Sequence, residues 1–204
     1  MAIRDGMEDL IKRVRSLTGA ENNEYSVDVD SYWTDQHIQD VLDANSRFLV
    51  DAALEWEMQT IGGGTAAYYT CLSGWRDFEE AASGTARWIV RDATGTQQGT
   101  ANYTADYRSG RLTFTSDQGG TAYYLTAYTY DVHAAAADVW LQRMSHFSQW
   151  YDFTADGQNL SRSQAWEHAR LMEERMRAKA GANVSSRAGG DLRVAQFVRR
   201  DING

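Results

Sequence analysis

The strongest constraint on the fold is an apolar periodicity between residues 132 and 180. Apolar side chains recur every three or four residues from Val132 to Tyr151, which is typical of the inward face of an amphipathic helix. A turn at 156–157 separates this stretch from a second periodic one that ends near Gly181. The sequence therefore predicts two successive, antiparallel helices, with these apolar positions: Val132, Ala136, Trp140, Met144, Phe147, Tyr151, Ala165, Ala169, Met172 and Met176.

The first sixty residues also show helical patterning. Apolar residues at helical spacing from Met7 to Leu17, followed by Gly19, predict a short first helix. Thr34 is a suitable N-cap for a second helix, whose apolar side is Ile38, Val41, Leu42 and Leu49. Ten carboxylates and one arginine lie between residues 21 and 57, and such a run is usually the solvated face of a helix.

A change from helical periodicity to alternation follows the glycine run 62–64, which we interpret as a hinge. About five short strands rich in Tyr, Thr, Ile, Val and Trp fit the next stretch, at 68–72, 87–91, 102–104, 112–115 and 122–130. The prediction is an α+β protein: mainly an α-helical bundle of about four helices with an inserted small antiparallel β module and an extended C-terminal tail. The corresponding boundaries are 1–60 for the N-terminal helices, 61–130 for the inserted β module, 131–181 for the C-terminal helix hairpin and 182–204 for the arm.

Composition limits the classes of partner and compartment. A net charge of -8 and a pI near 5.0 argue against a surface that is basic overall and wraps nucleic acid. Cys71 is the single cysteine and cannot form an internal disulfide, and no apolar run has the length of a membrane span or the form of a secretory signal. We expect a chain that is made and kept in a cytoplasm-like compartment.

Motifs that would indicate catalysis are missing from the sequence, which has no phosphate loop, no nucleophile elbow and no paired cysteine ligands. Asp131 and His133 could supply two metal ligands, but Asp131 is better explained as a helix N-cap. Trp75, Phe78, Trp88 and Tyr103 could form a stacking platform, although a small sheet needs such residues for its own core. We therefore expect no catalytic residues, no metal site and no cofactor.

A resemblance to a known family rests on three runs near the C-terminus: YDVHAAAADVW (130–140), YDFTADGQNLSRSQ (151–164) and RMRAKA (175–180). Together they resemble the C-terminal helix pair of head-tail connector (adaptor) proteins of tailed bacteriophages. The run YWTD (32–35), which leads into 38–43, is similar to an early helix of that family. The resemblance covers about half of the chain, in two blocks.

The resemblance implies a structural virion protein with no catalytic activity. Such proteins form a ring, usually twelve-fold, beneath the portal and continue the DNA channel to the stopper and tail proteins. The implied partners are other copies of this chain, the portal protein, a stopper or tail-completion protein, and genome DNA that passes through without sequence-specific binding; no membrane is involved. The implied location is the head-tail interface of the virion, after synthesis in the cytoplasm of the bacterial host.

Three sets of residues would carry this function. The first is a subunit interface on the C-terminal helices, because ring assembly joins two different surfaces of neighbouring copies. The second is a portal-binding arm, and the third is an acidic face toward the channel or the next ring, where negative charge would repel DNA. The predicted interface comprises Trp140, Met144, Phe147, Trp150, Trp166 and Arg170. The predicted arm comprises Arg187, Leu192, Arg193, Val194, Phe197, Val198, Arg199 and Arg200. The predicted acidic face comprises Asp28, Asp30, Asp35, Asp40 and Asp43.

Two other functional classes stay open. In a binding module, the β insert would hold a carbohydrate or another virion protein through Trp75, Trp88 and its tyrosines, which requires exposed tryptophans. The last alternative is a metal-dependent enzyme that uses Asp131 and His133.

Overall fold

The computed structural model of the protein describes residues 3–19, 26–27, 30–31, 33–62, 64–80, 87–147, 153–155, 158–160 and 162–181. The chain forms two compact units. A helical unit consists of residues 1–46 and 130–182, and a β unit lies within residues 47–129.

The helical unit contains four helices and two short antiparallel hairpins. Helix α3 is its centre, because α1, α2 and α4 all pack against it. One hairpin, β1–β2, precedes α2, and the other, β10–β11, connects α3 to α4. The elements are α1 Glu8–Thr18, β1 Ser26–Val27, β2 Asp30–Ser31, α2 Asp35–Ala44, α3 Val132–Phe147, β10 Phe153–Ala155, β11 Gln158–Leu160 and α4 Arg162–Arg177.

Local side-chain and backbone bonds define the ends of the helices. Gly19 ends α1 in the left-handed conformation, with φ of 65°, and its N–H bonds to the carbonyl of Arg15. The hydroxyl of Thr34 accepts from the N–H of His37 at 3.2 Å, so Thr34 is the N-cap of α2. Asp131 Oδ1 accepts from the N–H of Ala134 at 2.9 Å at the start of α3. These three helix ends confirm the sequence predictions.

The core between α3 and α4 follows the two predicted stripes. Helix α3 buries two alanines and two aromatic side chains, and α4 contributes Ala169 and Met176. Alanines at the contact allow the backbones of the two helices to come close. The cluster consists of Ala136, Ala137, Trp140, Phe147, Ala169 and Met176, with Leu17, Met144, Ala165 and Met172 packed against it.

The β unit consists of two antiparallel sheets with seven strands in all. One sheet has the order β3-β9-β6 and the other the order β4-β5-β8-β7. The chain passes from the first sheet to the second at Leu54, whose N–H bonds to the carbonyl of Tyr123 at 2.9 Å. The strands are β3 Ser46–Ala53, β4 Glu55–Ile61, β5 Thr65–Leu72, β6 Trp88–Asp92, β7 Tyr103–Asp106, β8 Arg111–Phe114 and β9 Tyr123–Tyr130.

Both sheets contribute to one apolar core. Alternate residues of β9 point into it, because successive side chains of a strand lie on opposite faces. Leu125 and Leu112 are fully buried in this core, one from each sheet. The buried cluster is Leu49, Leu54, Cys71, Phe78, Trp88, Val90, Tyr103, Leu112, Phe114, Tyr123, Leu125 and Ala127.

The predicted fold class is wrong. The protein is a mixed α+β fold with four helices and two antiparallel sheets, and it is not a helical bundle that carries a small insert. The five strands expected after residue 64 are present, but residues 46–60, assigned to the N-terminal helices, lie within the span of β3 and β4. Leu49 belongs to the core of the β unit and not to the second helix.

The glycine run 62–64 is not a hinge between a bundle and a β module. It lies in the loop of the hairpin that joins β4 to β5. The N–H of Gly64 bonds to the carbonyl of Ile61 at 3.1 Å. Gly64 has a φ of 82°, which glycine adopts without the steric cost that a Cβ atom would add.

Candidate functional site

Exposed large apolar side chains mark two candidate surfaces, one on each unit. Such residues are ordinary when they are isolated, but a group of them on neighbouring elements indicates a contact site. In the β unit they lie on consecutive strands, and in the helical unit on α3 and α4. We call Phe48, Val50, Met58 and Ile61 the edge surface, and Leu141, Trp166 and Leu171 the helix surface.

The edge surface belongs to two strands that each end a sheet. Strand β3 is the outer strand of the three-stranded sheet and β4 the outer strand of the four-stranded sheet. Met58 on β4 is 63% exposed and Ile61 is 47% exposed. An edge strand presents a row of backbone N–H and C=O groups that can pair with another chain, so exposed apolar side chains there favour strand addition.

A groove of about 490 Å³ runs along β4 and is lined by Glu55, Trp56, Glu57, Met58, Gln59 and Leu72. Trp56 is anchored in it, because its indole N–H donates to the carbonyl of Thr121 at 2.7 Å. Glu57 pairs with Arg111 at 3.0 Å. Glu55 is exposed and has no ion-pair partner among the residues that the structure describes. The groove is therefore acidic with an aromatic wall.

A register shift interrupts the pairing of β4 with β5 near Met58. Glu57 pairs with Thr70 and Gln59 with Ala67, so Met58 lies opposite two residues of β5. The extra residue lies on β5, and a β-bulge of this kind bends the bulged strand and increases its local twist. The N–H of Tyr68, in the bulge, donates to Asp117 Oδ1 at 3.0 Å. The pKa of the Asp117 carboxyl is lowered by the N–H groups of Gly119 and Tyr68, which bond to its charged form.

The predicted interface residues have different positions on the helical unit. Trp140 is 5% exposed, and its indole N–H donates to the carbonyl of Leu17 at 3.3 Å. Phe147 is buried beside it, and Met144 packs against the same cluster. Trp166 is 37% exposed on α4. The structure therefore places Trp140 and Phe147 within the core of the unit, Met144 against that core and Trp166 on the surface.

Arg170 also lies on α4, one turn after Trp166. Its guanidinium pairs with Glu167 at 2.7 Å and also with Glu174. The pKa of Glu167 is lowered, mainly because Arg170 donates a hydrogen bond to its carboxylate. These exposed pairs at i, i+3 and i, i+4 support the helix only weakly. Trp150, the remaining member of the predicted interface, lies outside the described residues.

Carboxylates predicted to face a channel make contacts within the chain. Asp35 pairs with Arg15 at 2.5 Å, and Asp43 accepts from both terminal nitrogens of Arg4 at 2.7 and 3.0 Å. Both contacts tie α2 to the N-terminal residues. Asp40 accepts from the amide of Gln36 at 2.8 Å and is exposed. Asp30 lies in β2, but its side chain is outside the described part of the chain, as is all of Asp28.

The predicted portal-binding arm lies entirely outside the described residues. This applies to Arg187, Leu192, Arg193, Val194, Phe197, Val198, Arg199 and Arg200. Their assignment to the portal therefore stays a prediction.

The residues proposed for metal binding and for stacking have structural contacts. Asp131 caps α3 with one carboxylate oxygen, and the other oxygen accepts from the N–H of Gly181. Among the described residues, no group of three His, Cys, Asp or Glu side chains could hold a metal ion. Trp88 is buried in the β core, whereas Trp75 is partly buried, with the guanidinium of Arg47 4.9 Å from its ring centroid. Trp88 therefore presents no face for stacking a ligand.

The edge surface was missed by the sequence analysis. The signal that could have revealed it is the pair Phe48 and Val50, which are apolar at the two-residue spacing of a strand face. A second signal is the glycine run directly after Ile61, because glycine-rich loops join hairpin strands.

Comparison of the chain with models of known protein families, with curated proteins and with solved structures finds no match. Within the described residues, no helix is both long enough and apolar enough to cross a membrane.

Proposed function

We propose that the protein is a structural subunit of a ring that joins the portal of a tailed bacteriophage to its stopper or tail and continues the DNA channel. The observation that carries the proposal is that each unit exposes several large apolar side chains. A ring needs heterologous contacts, in which one surface of a subunit meets a different surface of the next. A chain that exposes apolar side chains on both of its units can supply two different contact regions to such an assembly. The resemblance of the C-terminal helices to head-tail connector proteins supports the same proposal.

Within this proposal, α4 contributes the subunit wall through Trp166 and Arg170. Tryptophan and arginine are enriched among the residues that dominate binding energy at protein interfaces. Trp166 is exposed in the single chain, so an interface can bury more of it. Trp140 and Phe147 then act indirectly, because their packing fixes the position of α4.

The acidic residues of α2 are proposed to face the channel or the next ring. Asp35 and Asp40 are exposed on this helix, and Asp43 is partly exposed; Asp35 and Asp43 lie beside their arginine partners. Negative charge on such a wall would repel the DNA phosphates and keep the genome from adhering. The partners of the ring are the portal protein on one side and a stopper or tail-completion protein on the other.

The test is the mass of the complex in solution, measured by native mass spectrometry for the protein alone and after mixing with the portal of the same phage. We expect many copies of the chain to join one portal ring. Replacing Trp166 with Ala together with Leu171→Ser should lower the number of bound copies, because both side chains belong to the helix surface.

Ala93→Ser is the matched control, since Ala93 is exposed in a turn outside both surfaces. It should assemble like the unchanged protein. If the unchanged protein stays a monomer or dimer and does not bind the portal, the proposed function is wrong. If the variant with Trp166→Ala and Leu171→Ser assembled fully, the helix surface would not be part of the contact between subunits.

A further inference from the structure

We propose that the edge of β4 binds the C-terminal segment of a neighbouring copy of this chain as an added antiparallel strand. The inference rests on the proposed ring function, from which it takes the neighbouring copy. It assigns a role to the edge surface, which the sequence analysis did not detect.

The first argument is the backbone of β4. Among the residues that the structure describes, this seven-residue strand pairs on one side only, with β5. The other side is open to a further strand, and main-chain hydrogen bonds there can hold any extended segment of similar length. Specificity must then come from the side chains that line the edge.

The second argument is charge. Strand β4 carries Glu55 and Glu57 and no basic residue, and since Glu57 pairs with Arg111, the exposed Glu55 is the carboxylate on which the charge match rests. Residues 183–204 carry four arginines against two aspartates, which gives this segment a formal charge of +2. The segment also contains apolar side chains, as the edge does with Met58 and Ile61: Leu192, Val194, Phe197 and Val198. An acidic, apolar edge thus matches a basic, apolar segment of the same chain.

The third argument is the register. Residues 193–199 match the seven residues of β4 in number. An antiparallel alignment that sets Arg199 opposite Glu55 also sets Val198 opposite Trp56 and places no like charges opposite each other. Opposite charges and apolar pairs across neighbouring strands stabilise a sheet. In the same alignment, Gln196 lies opposite Met58.

This contact leaves part of the arm for other partners. Arg187 precedes the pairing segment, and Arg200 follows it. Both remain available for the contact with the portal that the sequence analysis predicted.

Cysteine cross-linking of the full-length chain tests the inference. One protein carries Met58→Cys and a second carries Gln196→Cys, and the two are mixed with portal and oxidised. The proposed register brings these positions face to face, so we expect a disulfide-linked dimer on a non-reducing gel. The native Cys71 is fully buried, and burial raises the pKa of its thiol to about 12, so it contributes little thiolate to the exchange.

The control pairs the Gln196→Cys protein with an Ala93→Cys protein, whose cysteine lies in an exposed turn away from β4. It should give only background cross-linking. A charge exchange provides a second readout: Glu55→Lys and Arg199→Glu should each reduce the dimer yield in the cross-linking background, and together they should restore it.

The outcomes separate the two proposals. A ring that assembles on the portal without specific cross-linking would overturn the strand addition and leave the proposed function intact. A third protein carries both Met58→Cys and Gln196→Cys. If a disulfide forms within that protein but not between the two singly substituted proteins, the added strand comes from the same chain and not from a neighbouring copy. Failure of the unchanged protein to join the portal would count against the proposed function itself.

Discussion

At the scale of single residues, Gly110 has little freedom to change. Its φ of 69° lies in the left-handed region, and a Cβ atom there would come within 2.2 Å of the carbonyl oxygen of Trp75 and 2.3 Å of Ser73 Oγ. A backbone oxygen cannot move aside as the end of a long side chain can. The loop between β7 and β8 therefore requires glycine both for its conformation and for the space around it.

We predict that Gly110→Ala destabilises the protein by more than about 3 kcal/mol, because steric overlap adds to the roughly 1–2 kcal/mol cost of left-handed backbone. Urea unfolding followed by tryptophan fluorescence measures the change. Gly95→Ala is the matched control: its φ is 84°, but nothing lies within 4 Å of the added Cβ. Equal effects of the two substitutions would show that the space around Gly110 is unimportant.

Asp106 gives a prediction for acid stability. The pKa of its carboxyl is lowered chiefly by the hydrogen bond from the hydroxyl of Ser109, and also by the N–H groups of Ser109 and Arg108. A lowered folded pKa stabilises the native state above the unfolded pKa of about 3.9, and this contribution disappears as the pH falls through the folded value. The difference in unfolding free energy between the unchanged protein and Asp106→Asn should therefore shrink from pH 6 to pH 2. A constant difference over that range would contradict the assignment.

At the scale of secondary-structure elements, two tryptophans of the α3–α4 pair should respond differently to substitution. Trp140 lies in the core between the helices, so Trp140→Ala should cost about 3–5 kcal/mol of stability. Trp166 is on the surface of α4, so Trp166→Ala should change stability by less than about 1 kcal/mol. Thermal unfolding by circular dichroism compares the two. A large loss for Trp166→Ala would show that this side chain supports the fold itself.

The helices were largely predictable from the sequence because their signals are local. Thr34 and Asp131 cap the helices that follow them, and Gly19 ends α1 as its position suggested. The strands after residue 64 were recognised for the same reason, since β-branched and aromatic residues alternate there between turn residues.

Strands β3 and β4 were not predictable because their composition favours helix. Strand β3 contains Leu and two Ala, and β4 contains two Glu, Met and Gln, all of which have good helix propensity. Leu49 also follows Leu42 by seven residues, which continues the helical spacing of α2. Asp51, with a φ of 47°, interrupts the extended conformation of β3 and so weakens its alternation. Tertiary pairing with β9 and β5 overrides these local preferences.

The candidate site was predictable only in part. An aromatic residue at helical spacing can fill a core or an interface, and the sequence of α3 and α4 does not distinguish Trp140 from Trp166. Burial separates them once the helices are packed. The edge surface depends on which strands end each sheet, and strand order is a property of the whole fold.

At the scale of the whole molecule, the chain leaves the helical unit and returns to it at neighbouring points. The N–H of Asp131 bonds to the carbonyl of Asn45 at 3.0 Å. The Asn45 amide also donates to Asp138 on α3 at 2.7 Å. Hydrogen bonds within the helical unit therefore hold the end of α2 beside the start of α3. Removal of residues 47–129 would leave these two points of the chain next to each other.

We predict that replacing residues 47–129 with a linker of about three glycines leaves the helical unit folded, because hydrogen-bonded residues on adjacent segments are only about 5.5 Å apart. The shortened protein should show a helical circular dichroism spectrum and a cooperative thermal transition. The same shortened protein with Trp140→Ala is the comparison and should lose the transition. A random-coil spectrum for the first variant would mean that the helical unit depends on the β unit.

The interrupted helical unit also has a consequence for synthesis on the ribosome. All strands of the two sheets can pair before α3 has been made, whereas the apolar faces of α1 and α2 must wait for it. At bacterial elongation rates of 5–20 residues per second, translation of residues 47–129 takes roughly 4–17 s. During this interval the apolar faces of α1 and α2 are open to chaperones, as are β3 and β6 until their partner β9 is made. A pause in translation between the two halves of the helical unit would extend the time for which α1 and α2 stay uncovered.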